Sequence, residues 1–251
     1  MKGMTHDSDS VRALERDLRE IFGARLQSLV THGASGRSAP ADAHDHGGAH
    51  QHERPLAHTM AIAETLTADD LRACARRAKK WHDAGLATPL LLAAHEFEDS
   101  LDAFPLEFGA IVADHTVVSG RSPFEGMRVD AADLRRACEV QARSHLLHLR
   151  QGYVDARDNP DALAVLIVHS APAFAGLLQS VARLQGVATH DAGAVGRHVE
   201  RTLNAADRSV SDVIGLAGVA EISSVEAIRI FPGYLDAVER LVKFVDGWGA
   251  A

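Results

Sequence analysis

Apolar positions change period twice along this chain. From Ser10 to Ile21 they recur at helical spacing, with Leu14, Leu18 and Ile21 on one face, and Gly23 ends the run. Ser10 is the expected cap of that first helix. Arg25–Thr31 then reads as a strand leading into Gly33. A second strand is expected over Ala57–Ala63. Thr67 with Asp70 three residues on forms a capping box before a helix, whose expected inner face is Leu71, Cys74, Ala75, Ala78 and Trp81 and whose stop is Gly85. Leu90–Ala94 reads as a short buried strand, Glu96–Leu101 as a short helix, and Glu107–Ala113 and His115–Val118 as two more strands.

After Asp130 only the helical period remains. Leu134, Cys138, Gln141, His145 and Leu149 trace one stripe on a long helix over 131–156. Pro160, Pro172, Gly186 and Gly196 punctuate further helices, and a last helix is expected to follow Pro232, with Tyr234, Leu235, Val238, Leu241, Val242 and Val245 inward. Mixed elements followed by helices alone suggest two domains, 1–129 and 130–251. Between Gly33 and Pro55 the chain is mostly Gly, Ala, Ser, Asp and His, too polar for a core, so a mobile loop over 33–55 is expected.

Composition narrows the function classes. A net charge of -8 argues against a protein that coats nucleic acid, since phosphate binding needs excess Lys and Arg. Two distant cysteines, Cys74 and Cys138, suit a reducing cytoplasm rather than a disulfide framework. No run reaches the about 20 apolar residues of a bilayer span, so no membrane association is expected.

The order of elements, with Leu29-Val-Thr-His-Gly33, Leu66-Thr-Ala-Asp-Asp-Leu71, Trp81 before Gly85-Leu-Ala-Thr-Pro-Leu90, and Ser100-Leu-Asp-Ala-Phe-Pro-Leu-Glu-Phe108, resembles the nucleotidyltransferase superfamily. Leu134-Arg-Arg-Ala-Cys-Glu139 and Leu146-Leu-His-Leu-Arg-Gln-Gly-Tyr153 are similar to the helical C-terminal domain found in bacterial members. The resemblance covers most of residues 10–185. It implies an α+β fold: a nucleotidyltransferase-like mixed sheet with flanking helices, then an all-α bundle. It also implies a site: a Gly-Ser turn after the first strand for the nucleotide phosphates, two carboxylates two apart on the next strand holding Mg²⁺ or Mn²⁺, and a third carboxylate on a later strand.

The chain departs from that pattern where the chemistry lies. Gly33 is followed by Ala34, with Ser35 one place late. The paired-carboxylate places hold Leu56 and His58, and no Asp or Glu lies between Glu53 and Glu64. Glu107, with Asp102 as runner-up, is the candidate third carboxylate; a solvated strand residue and a turn residue are the plainer accounts of the two. Gly33, Ser35 and His58 are the candidate nucleotide-binding residues. His44, His46, His50 and His52 form a separate candidate metal tract suited to Zn²⁺ or Ni²⁺, though their spacing matches no structural zinc site. The reading is a degenerate nucleotidyltransferase-like protein that binds a nucleoside triphosphate, small ligand or protein partner without efficient catalysis. Two alternatives stand beside it: an active metal-dependent nucleotidyltransferase acting on a hydroxyl acceptor, and a transition-metal binder using the histidine tract.

Overall fold

The structure, a computed structural model, describes residues 3–33, 57–187, 189, 191–205 and 208–248. These divide into two compact units: 3–33, 57–104 and 108–129 in the first, 105–107 and 130–248 in the second. The expected mobile loop, Ser35, Leu56 and the four tract histidines lie outside the described residues.

In the first unit α1 (Gly3–Phe22) runs through a 3-10 turn at Gly23–Arg25 into β1 (Leu26–His32). Ser10 lies inside α1 rather than capping it, and its hydroxyl donates to the Ala84 carbonyl at 2.9 Å. β2 (His58–Ala63) pairs antiparallel with β1, and α2 (Ala68–Asp83) follows. Thr67 and Asp70 form the expected capping box. Then come β3 (Leu90–Ala93), α3 (Ala94–Ala103), α4 (Pro105–Ala113) and β4 (His115–Gly120). The sheet order is β3-β2-β1-β4, with β2 and β3 parallel and the other neighbours antiparallel.

Strand alternation splits the unit's apolar residues between two faces. On one face Leu29, Ala61 and Ala63 pack with Leu14, Leu18 and Phe22 of α1 and with Cys74 and Trp81 of α2. On the other, Val30, Met60 and Ile62 meet Phe97, Phe108, Ile111 and Phe124.

Three expectations need correction here. Glu107–Ala113 is helix α4, not a strand: Pro105 occupies its first turn, where a proline's missing N–H costs nothing, and Phe108 and Ile111, three apart, share its buried face. β3 lies at the sheet edge, so Leu90 is exposed rather than buried. Leu71 and Ala75 of α2 are also exposed, because the inner face turns instead through Asp70, Cys74 and Trp81.

Two buried carboxylates fasten the helices of this unit. Asp17 of α1 accepts from Trp81 Nε1 at 2.8 Å and from Lys80 Nζ at 2.8 Å. Burial alone would raise the Asp17 pKa; the Lys80 and Trp81 hydrogen bonds overcome it and hold the carboxyl below its ordinary value. Asp70 takes a two-pronged contact from Arg25, both bonds 2.8 Å, and closes the capping box with Thr67. The Arg25 guanidinium holds its pKa well below the usual carboxylate range. Gly120 is at φ +80, and a Cβ there would lie 1.9 Å from the Gln27 carbonyl oxygen, so only glycine fits where β4 leaves β1.

The second unit is helical: α5 (Ala131–Asp155), α6 (Pro160–Leu184), α7 (Ala192–Leu203), α8 (Ser209–Gly215) and α9 (Ser224–Gly247). Asp130, Asn159, Asp191 and Ser223 cap α5, α6, α7 and α9. Leu134, Cys138, His145 and Leu149 are buried on α5 as the stripe implies, whereas Gln141 is half-buried. Pro172 and Pro232 lie inside α6 and α9 instead of separating helices, and Gly196 lies inside α7. Each interior proline removes a helical hydrogen bond, a cost of about 3 kcal/mol. Packing at the same turns offsets it: Phe174 and Tyr234 are fully buried.

Among the described residues α6 is the one helix long and apolar enough, by length and composition, to cross a bilayer, with mean hydropathy 1.7. That corrects the expectation that no such run exists. Leu163, Ile167, Phe174, Leu178 and Val181 are buried within the helical unit, as the central helix of a bundle requires.

Candidate functional site

The antiparallel register of β1 and β2 ends with His32 opposite His58. Cross-strand partners point to the same face, so the two rings meet where the chain leaves β1 for Gly33. Their centroids are 5.8 Å apart and their planes tilt by 32°. β4 extends the row, because His32 is also in register with His115. The glycine end of the sheet thus carries a histidine on each of three adjacent strands.

The three rings are not equivalent. His115 points Nδ1 at the Val112 carbonyl, 3.1 Å away, and packs edge-on against Phe124 with centroids 4.4 Å apart. Its hydrogen bond and packing fix it to the body of the unit. His32 and His58 are half-buried, and neither ring takes part in a hydrogen bond among the described residues. Burial pushes the His32 pKa down to about 4; repulsion from His58 adds to that, and the nearby Asp114 carboxylate partly opposes it. Burial also lowers the His58 pKa. Burial thus favours the neutral form of both rings.

Gly33 has φ +65, a left-handed conformation that glycine adopts without strain. The space beside its α-carbon is open. Its own amide is engaged, donating to the Asp114 carbonyl at 3.3 Å. The Gly33 N–H is therefore already committed within the unit.

The candidate carboxylates are placed differently from the expectation. Glu107 is exposed in the first turn of α4, so it is not a strand residue aligned with β2. Asp102 is exposed in the last turn of α3. Neither takes part in a hydrogen bond or ion pair among the described residues, and no group of three or more His, Cys, Asp or Glu side chains there could hold a metal ion. Gly33 and His58 are the two candidate residues that the hairpin does bring to one end. His32 and Asp114 were missed by sequence reasoning. What pairs His32 with His58 is strand register across a long connection, which leaves no local signal in the sequence.

No model of a known protein family matches this chain, and no curated protein matches it. Among solved structures it is similar to the spectinomycin adenyltransferase AAD(9) from Enterococcus faecialis, determined with ATP and spectinomycin. The TM-score is 0.51 at 11% identity, over 93% of this chain and 98% of that one. The fold is nucleotidyltransferase-like. It combines a mixed four-stranded sheet and flanking helices with a helical C-terminal part, as the sequence resemblance implied. At this identity the likeness concerns the backbone alone, and function must be argued from the side chains at the glycine end.

Proposed function

We propose that this chain is a degenerate nucleotidyltransferase-like protein, one that binds a nucleoside triphosphate or similar small ligand, or a protein partner, without efficient metal-dependent transfer. One observation carries the reading. The β2 position where the resemblance calls for a metal-holding carboxylate is His58, and it faces a second neutral imidazole, His32. Moving a nucleotidyl group requires cations that neutralise charge building on the phosphate oxygens and activate the attacking hydroxyl. Mg²⁺ and Mn²⁺ prefer hard oxygen ligands, and two imidazoles are poor substitutes. Leu56, at the companion position, has no ligand atom at all.

Ligand binding needs less than catalysis does. The left-handed conformation of Gly33 leaves open space beside its α-carbon, and Ser35 is the candidate hydroxyl for a phosphate. A relative in fold was solved with ATP, which makes a nucleoside triphosphate the first ligand to test. The neutral His58 ring can accept or donate one hydrogen bond to it. Cys74 and Cys138 are buried and unpaired, which supports assigning the protein to the reducing cytoplasm.

The test supplies all four nucleoside triphosphates with Mg²⁺ or Mn²⁺ and follows pyrophosphate release and label transfer. The natural chain is expected to release none above background. A parallel chain carrying Leu56→Asp and His58→Asp examines whether restoring the carboxylates restores cation dependence. Robust turnover by the natural chain that disappears with Glu107→Ala would overturn the proposal and make Glu107 catalytic.

A further inference from the structure

Five histidines among the described residues are buried or half-buried: His32, His58, His115, His145 and His198. Three have ring partners. His115 meets the Val112 carbonyl, His145 the Tyr234 hydroxyl at 2.7 Å, and His198 the Gln185 side-chain oxygen at 2.7 Å. A buried imidazole left without a partner carries a desolvation cost, which is why such rings are ordinarily satisfied. His32 and His58 are the exceptions, and they are directly opposite one another on adjacent strands. The feature that lacks hydrogen bonds is thus a pair, held in register by the backbone ladder.

We propose that His32 and His58 form a two-imidazole site for a borderline transition-metal ion, Zn²⁺ in the first instance, with solvent completing the coordination. The spacing supports this. Zn–N bonds of about 2.0 Å and a ring radius of about 1.2 Å put two ligating rings about 5.2 Å apart at a tetrahedral angle and about 6.4 Å apart at a linear one. The observed centroid separation of 5.8 Å lies between those limits. Neutral imidazole is a good ligand for Zn²⁺, Ni²⁺ and Cu²⁺ and a poor one for Mg²⁺, so ligand type selects the class of ion. The Asp114 carboxylate acts on His32 from nearby and adds negative potential for a cation. Antiparallel pairing of β1 with both β2 and β4 fixes the backbone beneath the rings, so little order must be gained on binding.

This site differs from the candidate tract of His44, His46, His50 and His52, and it stands whether or not the unit binds a nucleotide. The test must separate the two sources of imidazole. Zn²⁺ is titrated calorimetrically into the full chain with those four tract histidines replaced by alanine. One saturable equivalent is expected. His32→Asn and His58→Asn should each weaken it at least tenfold, and the double variant should be no more than about twofold worse than the poorer single, because either loss dismantles a two-ligand site. No saturable equivalent, or unchanged affinity in both single variants, would overturn the proposal. Ring NMR resonances of the tract-replaced chain provide a readout that needs no change at the site. Those of His32 and His58 should shift together and saturate at one equivalent. Movement of other histidines while these two stay still would overturn it as well.

Discussion

Asp17 and Asp70 in the α/β unit, and His145 in the helical unit, are all buried polar groups, but they are held by different chemistry. Each aspartate is surrounded by donors from other elements, Arg25 and Thr67 for Asp70, and Lys80 and Trp81 for Asp17. In the helical unit His145 begins a relay of neutral groups. Its Nε2 meets the Tyr234 hydroxyl at 2.7 Å, Tyr234 donates to Ser170 Oγ at 3.1 Å, and Ser170 donates to the Ile167 carbonyl at 3.2 Å. Phe174 stacks on the His145 ring with centroids 5.3 Å apart. The first unit ties its helices together with buried charge; the second fills a long-helix core and satisfies its polar atoms in passing. The difference teaches how to read the remaining histidines. A ring inside a completed relay is structural, whereas the His32–His58 pair has no such relay among the described residues.

The largest expected effect falls on the charged fastening. Asp70→Ala removes the Arg25 contact and the capping box together, and should destabilise the α/β unit by about 3 kcal/mol in urea unfolding. Ser180→Ala in the helical core loses a bond to the Gly176 carbonyl at 3.1 Å and one accepted from Arg183 at 3.2 Å, and should cost about 1.5 kcal/mol or less. Comparable losses for both would erase the contrast between the units.

Acid should act on the buried histidines of both units. Burial, helped by repulsion from His148, pushes the His145 pKa down to about 4, below its ordinary value of 6.5. The unfolded chain therefore binds the proton more readily, and stability falls as pH drops from about 6.5 to about 4, by up to about 3 kcal/mol from this one group. The depressed carboxyls, Asp17 and Asp70, contribute stability above their unfolded pKa that is lost only at lower pH. His32, pushed down to about 4 by burial, gives the α/β unit the same dependence, so both units should weaken over this window before the carboxyls protonate. The two tryptophans report separately, Trp81 from α2 and Trp248 from the end of α9. Trp248 fluorescence in a Trp81→Phe chain should show a urea midpoint that falls between pH 7 and pH 5, and His145→Gln should flatten that dependence. An equal fall in the His145→Gln chain would assign the effect elsewhere.

The smallest effect concerns Thr59. Its buried hydroxyl has no partner among the described residues. Thr59→Val keeps the branched shape and removes the unsatisfied atom, so it should stabilise by about 1 kcal/mol. A loss of stability would show that the hydroxyl is bonded in solution.

Much of this architecture was legible in the residues. The Thr67–Asp70 box, the stops at Gly23 and Gly85, the two strands β1 and β2 and the α5 stripe follow from local chemistry and period, and all appear. Glu107–Ala113 was not legible as helix because a short apolar run fits either period, and its Pro105 start signal lay just outside the segment considered. Pro172 and Pro232 suggested breaks because tertiary packing, which sustains the helices through them, leaves no local trace. At the candidate site, the departure of Leu56 and His58 from the carboxylate pattern could be read directly. The partnership of His58 with His32 could not, since it depends on register across a segment of 25 residues, from Gly33 to Ala57.

The central claim is that the glycine end of this nucleotidyltransferase-like fold no longer works through hard divalent cations. It is tested most directly by titrating ATP into the natural chain with excess Mg²⁺ and again with Mg²⁺ removed, while following the amide resonances of His32, Gly33 and His58. Those resonances should move in both titrations, with affinities that agree within about a factor of two. Binding that strengthens tenfold or more with Mg²⁺ would contradict it, because the protein would then be supplying oxygen ligands to the cation.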